Sequence, residues 1–199
     1  AGRVDDHVGV AVGPRHTDDE REEYFFTRWV EDEWGATGRR YAEGRELLER
    51  ALDIGIAGVC AEAVGLMDRL VELTVEYMNT RRQFGVTLAS FQALRHRVAD
   101  IKMQLELARS MSYFASLVLG ASADKRRHAV SQAKVQLGQS MRFVGQQCVQ
   151  LHGGIGITDE YLGSHYFKRL TMLELAFGDT MHHLGAVSRG LRASAGVFA

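Results

Sequence analysis

Three short stretches are poorly explained by packing alone, and the first carries residue types suited to holding a phosphate. The first is Thr80-Arg81-Arg82-Gln83-Phe84-Gly85, with Phe91-Gln92 just beyond. An arginine at a helix end beside a turn can engage two phosphate oxygens at once, because its guanidinium is planar and always charged. Without a ligand, Arg81 and Arg82 read as a solvated charge pair and Phe84 as a staple between two helices. The second stretch is Gln150-Leu151-His152-Gly153-Gly154-Ile155-Gly156-Ile157-Thr158, where closely spaced glycines let backbone approach a bulky group. It lacks the strand-then-helix context and the lysine of a phosphate-cradling loop, and His152 reads as structural rather than as a base. The third runs from His165-Tyr166-Phe167-Lys168-Arg169 to Phe177-Gly178-Asp179-Thr180. Alone, it reads as a basic helix start, an apolar core face and a solvated rim.

The elements that must position these stretches are helices. Leu47, Leu52, Ile56, Ala63, Leu66, Leu70, Leu73 and Tyr77 keep to helical spacing, which predicts a helix from about Glu46 to Thr80. A second helix carries Phe91, Val98, Leu105 and Leu119 on one seven-residue track and Leu94, Ile101, Ala108 and Ala115 on another, a seam that packs in antiparallel bundles. Ser122 is the expected N-cap of a third helix to about Leu151, with Asp124 near its positive end. A fourth is expected from about Tyr166 to Leu191 in one piece. Pro14 is the chain's one proline, so nothing downstream interrupts long helices. The expected fold is all-α, an antiparallel four-helix bundle over residues 46–199. Residues 1–45 form an N-terminal segment of unassigned role, with a possible strand in VDDHVGVAVGP, a surface helix in DDEREEYFFTRWVEDEW and a connector in GATGRRYAEG.

Composition removes several classes. A net charge of -1 gives no footprint for nucleic acid or an anionic membrane. No apolar run is long and uncharged enough to cross a bilayer, and AGRVDDHVGV lacks the basic segment and apolar core of a secretory signal. Cys60 and Cys148 form no metal or redox motif and are expected as buried thiols in a reducing cytoplasm. No metal is expected: a di-iron bundle needs Glu-x-x-His pairs, and Glu62, for instance, is followed three residues on by Gly65. The chain begins with Ala1, which leaves a processed chain, a trimmed one and a fragment all open.

In their order and intervals, RRQFGVTLASFQ and QLHGGIG resemble the acyl-CoA dehydrogenase family, over roughly residues 46–192. ADIKMQLELARS and HAVSQAKVQLGQSMRFVGQQCVQLHGG are similar to the family's second and third bundle helices, and HYFKRLT to its bacterial members. The resemblance implies the four-helix C-terminal domain of that family, packed in an oligomer that holds FAD across a subunit boundary. By position, Arg81 matches the arginine that meets the FAD pyrophosphate of a neighbouring subunit. Gln83, Phe84 and Gln92 match residues at the adenine end, and Gln150, Gly153 and Gly154 the other flavin-contacting segment. Thr180 matches a threonine near the dinucleotide. The implied reaction is α,β-desaturation of an acyl-CoA thioester, in which a glutamate takes the α proton and the β hydrogen leaves as hydride to the flavin.

The sequence departs from the family where the base belongs. The usual glutamate position is Gly178, the alternative position on the first helix is Gly55, and a CoA-contacting arginine beside it is replaced by Ile56, while Asp53 is retained. Two readings follow. In one, the chain is a partner subunit, homo- or hetero-oligomeric, contributing FAD contacts to an enzyme whose base lies elsewhere. In the other, Asp179 or Glu174 serves as an unconventional base. A rival from another class is a non-enzymatic oligomerisation module, against which the retained Arg81, Gln92, Gln150 and Gly153-Gly154 argue. The family's N-terminal helical and middle β domains are not represented in these residues.

Overall fold

The structure, a computed structural model, describes residues 38–195. The strand and surface helix expected upstream lie outside the described residues. The elements run α1 (Gly38–Thr80), β1 (Arg82–Gln83), β2 (Val86–Thr87), α2 (Gln92–Leu117), α3 (Ala123–His152), α4 (Leu162–Leu175) and α5 (Thr180–Ala195), with short 3-10 turns at Leu88–Ser90 and Gly153–Ile157. Helix α1 begins earlier than its apolar periodicity indicates, so residues 38–44, expected as connector, are already helical.

Side-chain pairs fix how the helices run. Asp53, about a third of the way along α1, meets Arg126 in the first turn of α3, and Tyr77 meets His152 near both ends, so these two helices lie parallel. Helix α2 runs against them, with Arg97 bonded to Gln147 and Gln104 to Ser140. Helix α4 returns along α1, where Arg169 grips Glu62. This is the expected up-and-down bundle. Its core joins Cys60, Ala63, Met67 and Leu70 of α1 to Ile101, Leu105, Ala108 and Ala115 of α2, Leu137, Met141 and Val144 of α3, and Leu170 and Leu173 of α4. Ile101, Leu105, Ala108 and Ala115 belong to the two seven-residue tracks, as expected. Ser122 stands at the N-cap of α3, but its side chain makes no capping bond; Asp124 in the first turn faces the positive end.

The expected single fourth helix is instead two. Ala176 is extended, Phe177 and Gly178 have φ of 57° and 96°, and the helix restarts at Thr180. Two consecutive residues in the left-handed region cannot continue a right-handed helix. The break is held from both sides. The ammonium of Lys134, fully buried on α3, donates to the carbonyls of Leu173 (2.9 Å) and Glu174 (2.8 Å), which are terminal acceptors of α4. Asp179 Oδ1 accepts from the His182 N–H at 2.8 Å, capping α5. Thr180 then lies against Gly138 of α3, where a Cβ would stand 2.1 Å from its Oγ1.

Candidate functional site

Most of the predicted cofactor residues gather at one end of the bundle. Helices α1 and α3 both finish there, and the two-stranded hairpin leads straight into α2. Arg82 pairs with Thr87 and Gln83 with Val86, leaving Phe84 (φ 55°) and Gly85 (φ 82°) as a two-residue turn with both central residues at positive φ. Arg81 precedes the hairpin; its N–H donates to the Tyr77 carbonyl at 2.8 Å and its carbonyl accepts from Leu88 at 2.9 Å. Its guanidinium is exposed and makes no hydrogen bond or ion pair with any described residue. Phe84 is 91% exposed and meets Phe91 edge-on at 6.2 Å, so it does not staple two helices. Gln83 and Gln92 are exposed beside it.

From α3, Gln150 is exposed two residues before the helix ends, and Gly153 terminates it with φ 65°. Neither Gly153 nor Gly154 has anything within 4 Å of where a Cβ would be, so their backbone faces open space. Beneath them His152 is buried. Its Nδ1–H donates to the Cys148 carbonyl at 2.7 Å, and the Tyr161 hydroxyl donates to its Nε2. Burial holds this imidazole below its ordinary pKa, hence neutral, which fits a structural histidine.

Thr180 is not part of this end. It packs on Gly138, fourteen residues before His152 along α3, or about 21 Å of helix. Its hydroxyl donates to Glu174 Oε1 at 2.7 Å and its N–H to the same oxygen at 3.1 Å.

Gly178 and Gly55, the two positions expected from the resemblance to hold a glutamate, are linked at the α4–α5 break through Phe177. The Phe177 ring tip points at Gly55 of α1, whose Cβ would lie 3.1 Å from Cζ. Gly178 follows Phe177, and a Cβ there would sit 2.7 Å from the His182 ring. The nearby carboxylates are both engaged: Asp179 caps α5, and Glu174, buried, accepts from Thr180 and lies 3.7 Å from Arg142 Nη2. Asp53 is paired with Arg126 at 2.8 Å, both side chains 6% exposed. His183, missed by sequence reading, accepts from Ser131 Oγ (3.2 Å) and donates to the Phe177 carbonyl (3.0 Å). Burial depresses its pKa first, with the His182 and Lys134 charges adding to the effect. Lys134 went unnoticed because a lone lysine in an apolar run reads as a solvated charge. Its spacing with Ala133 and Leu137 on the buried face was the available signal. Among the described residues no group of three or more His, Cys, Asp or Glu side chains forms a metal site.

Comparison with known proteins places this geometry. The family model for the acyl-CoA dehydrogenase C-terminal domain matches residues 42–192, and the chain belongs to that family of oxidoreductases. It is 29% identical over 156 residues to the mitochondrial short/branched chain specific acyl-CoA dehydrogenase of Bos taurus, covering 78% of this chain and 34% of that protein. It is 36% identical over 111 residues to acyl-CoA dehydrogenase IpdE2 of Mycobacterium tuberculosis, covering 56% and 33%. Among solved structures, the ChsE4–ChsE5 complex of M. tuberculosis superposes with a TM-score of 0.66 at 26% identity, over 72% of this chain and 39% of that one. The chain thus spans about a third of the length of these curated relatives. No helix among the described residues is long and apolar enough to cross a membrane.

Proposed function

We propose that this chain supplies FAD contacts and assembly surface to an acyl-CoA dehydrogenase that desaturates an acyl-CoA thioester, while the proton-abstracting carboxylate comes from elsewhere in the assembly. One observation carries the reading: Arg81, Gln83, Phe84, Gln92 and Gln150 are exposed at the end where Gly153-Gly154 face open space, whereas Gly55 and Gly178, the expected base positions, are packed against side chains. The fit to a dinucleotide rests on chemistry at that end. An unpaired guanidinium suits a pyrophosphate, an exposed phenyl ring and amides suit a purine, and two glycines facing open space permit close backbone approach. FAD, when bound, supplies the hydride acceptor. Arg81 would neutralise and orient the phosphates, and Gly153-Gly154 would admit the cofactor without a side chain in the way. Glu174 and Asp179 serve as caps of α5, which argues against an unconventional base on this chain. That a companion chain completes the site fits the resemblance to a two-component complex.

The test is the visible absorption spectrum of the purified chain, alone and after co-purification with a complete acyl-CoA dehydrogenase subunit. Flavin that appears only with the companion supports a shared site. Flavin in neither preparation would leave the bundle as an oligomerisation module.

A further inference from the structure

Three segments converge on one buried ring beneath the open end. Tyr77, on the last turn of α1, receives the Arg81 N–H on its carbonyl at 2.8 Å. Its hydroxyl donates to the His152 carbonyl at 3.3 Å, and its ring lies 4.6 Å from the imidazole at 30°. Tyr161, the N-cap residue of α4, presents its ring at 4.6 Å and 44° and donates its hydroxyl to Nε2. Because Nδ1–H is committed to the Cys148 carbonyl, Nε2 is free to accept, and one neutral tautomer satisfies both partners. The very next residue is Gly153, where the chain leaves α3.

We propose that His152 is a positioning residue: in contact with both Tyr77 and Tyr161, its neutral imidazole clasps the Arg81 hairpin to the Gly153-Gly154 turn and so sets the span across which one dinucleotide is held. The proposal rests on the cofactor reading above for its purpose, but the clasp itself is a property of this chain. Without it, α1 and α3 would end as separate, fraying termini. Arg81 and the glycine turn would then sample a range of separations rather than one, and a ligand bridging them would lose affinity.

The clasp is tested with spin labels on Val86→Cys and Ile157→Cys, exposed positions on the hairpin and the turn; the native Cys60 and Cys148 are buried and leave labelling selective. The parent should give one narrow distance. His152→Phe retains ring stacking but loses both ring nitrogens, and should broaden the distribution; Tyr161→Phe, which removes a single hydroxyl, should broaden it less. In assembly with a complete acyl-CoA dehydrogenase subunit, His152→Phe should weaken FAD binding roughly tenfold, as loosening a supporting contact typically does. Val130→Ala, a core change away from the clasp, should lower the thermal midpoint while leaving the span and FAD affinity unchanged. A distribution in His152→Phe as narrow as the parent's would overturn the clasp. A broadened span with unchanged FAD affinity would overturn its service to the dinucleotide. Should the parent assembly bind no FAD, the cofactor reading fails while the span still decides the clasp.

Discussion

Gly178→Glu places a glutamate at the position where the family resemblance leads one to expect it, and the local geometry makes that side chain costly. The residue sits at φ 96°, where an L side chain costs about 1–2 kcal/mol. Its Cβ would stand 2.7 Å from His182 Cδ2 and 3.2 Å from His183 Nε2. The His182 ring is exposed and can swing aside, but His183 is buried and its Nε2–H donates to the Phe177 carbonyl. Displacing it forfeits a hydrogen bond of about 1 kcal/mol. The sum, roughly 2–3 kcal/mol, corresponds to a fall in thermal midpoint of about 4–12 °C for a chain of this size. Circular dichroism melts of the parent and Gly178→Glu measure it directly. Gly65→Ala is the control: Gly65 is exposed on α1 with nothing within 4 Å of its Cβ, so alanine there should raise the midpoint slightly. A Gly178→Glu chain that melts at or above the parent would refute the reasoning, because the elbow would then accept a side chain without strain.

Other expectations follow from the buried polar groups. Asp53→Ala leaves Arg126 charged and buried, and should cost roughly 3–5 kcal/mol, read as a shift in urea midpoint; a change under 1 kcal/mol would mean the pair is solvated. His152 and His183 both have folded pKa values below the ordinary 6.5. Below about pH 6.5 the unfolded chain takes up protons that the folded chain refuses, so stability is full above that pH and declines as pH falls toward the folded values. A melting temperature level from pH 7.5 to 5.5 would contradict this. Burial pushes the Cys60 and Cys148 thiols up to about 11, so neither should react with iodoacetamide at pH 8 until the chain is unfolded. Mass spectrometry of the folded, treated protein checks it.

The bundle was legible because its apolar residues recur at helical spacing over long stretches, most clearly where Ile101, Leu105, Ala108 and Ala115 fall on the two tracks of α2. The break between α4 and α5 was missed because Leu170, Leu173, Phe177 and Leu184 keep the same period across it. The signals were nonetheless present as Gly178, a helix-ending residue, followed by Asp179, a helix-starting one. Arg81, the hairpin glycine and the Gly153-Gly154 turn were visible as motifs, yet their meeting at one end depends on α1 and α3 running parallel, which local patterns do not encode. The same limit hid the Tyr77–His152–Tyr161 cluster, whose members lie 75 and 9 residues apart. Thr180 illustrates the converse: it shares the motif order but sits about 21 Å of helix away from the end cluster.

The most direct test of the cofactor end is the flavin-to-protein ratio of Arg81→Ala against the parent, each assembled with a complete acyl-CoA dehydrogenase subunit and dialysed identically. Arg81 has no described partner to lose, so the fold should be unaffected, and loss of a charge-assisted contact of about 1.5–3 kcal/mol should weaken retention by one to two orders of magnitude. A parent-like flavin ratio in Arg81→Ala would contradict the claim that this end of the bundle holds the pyrophosphate.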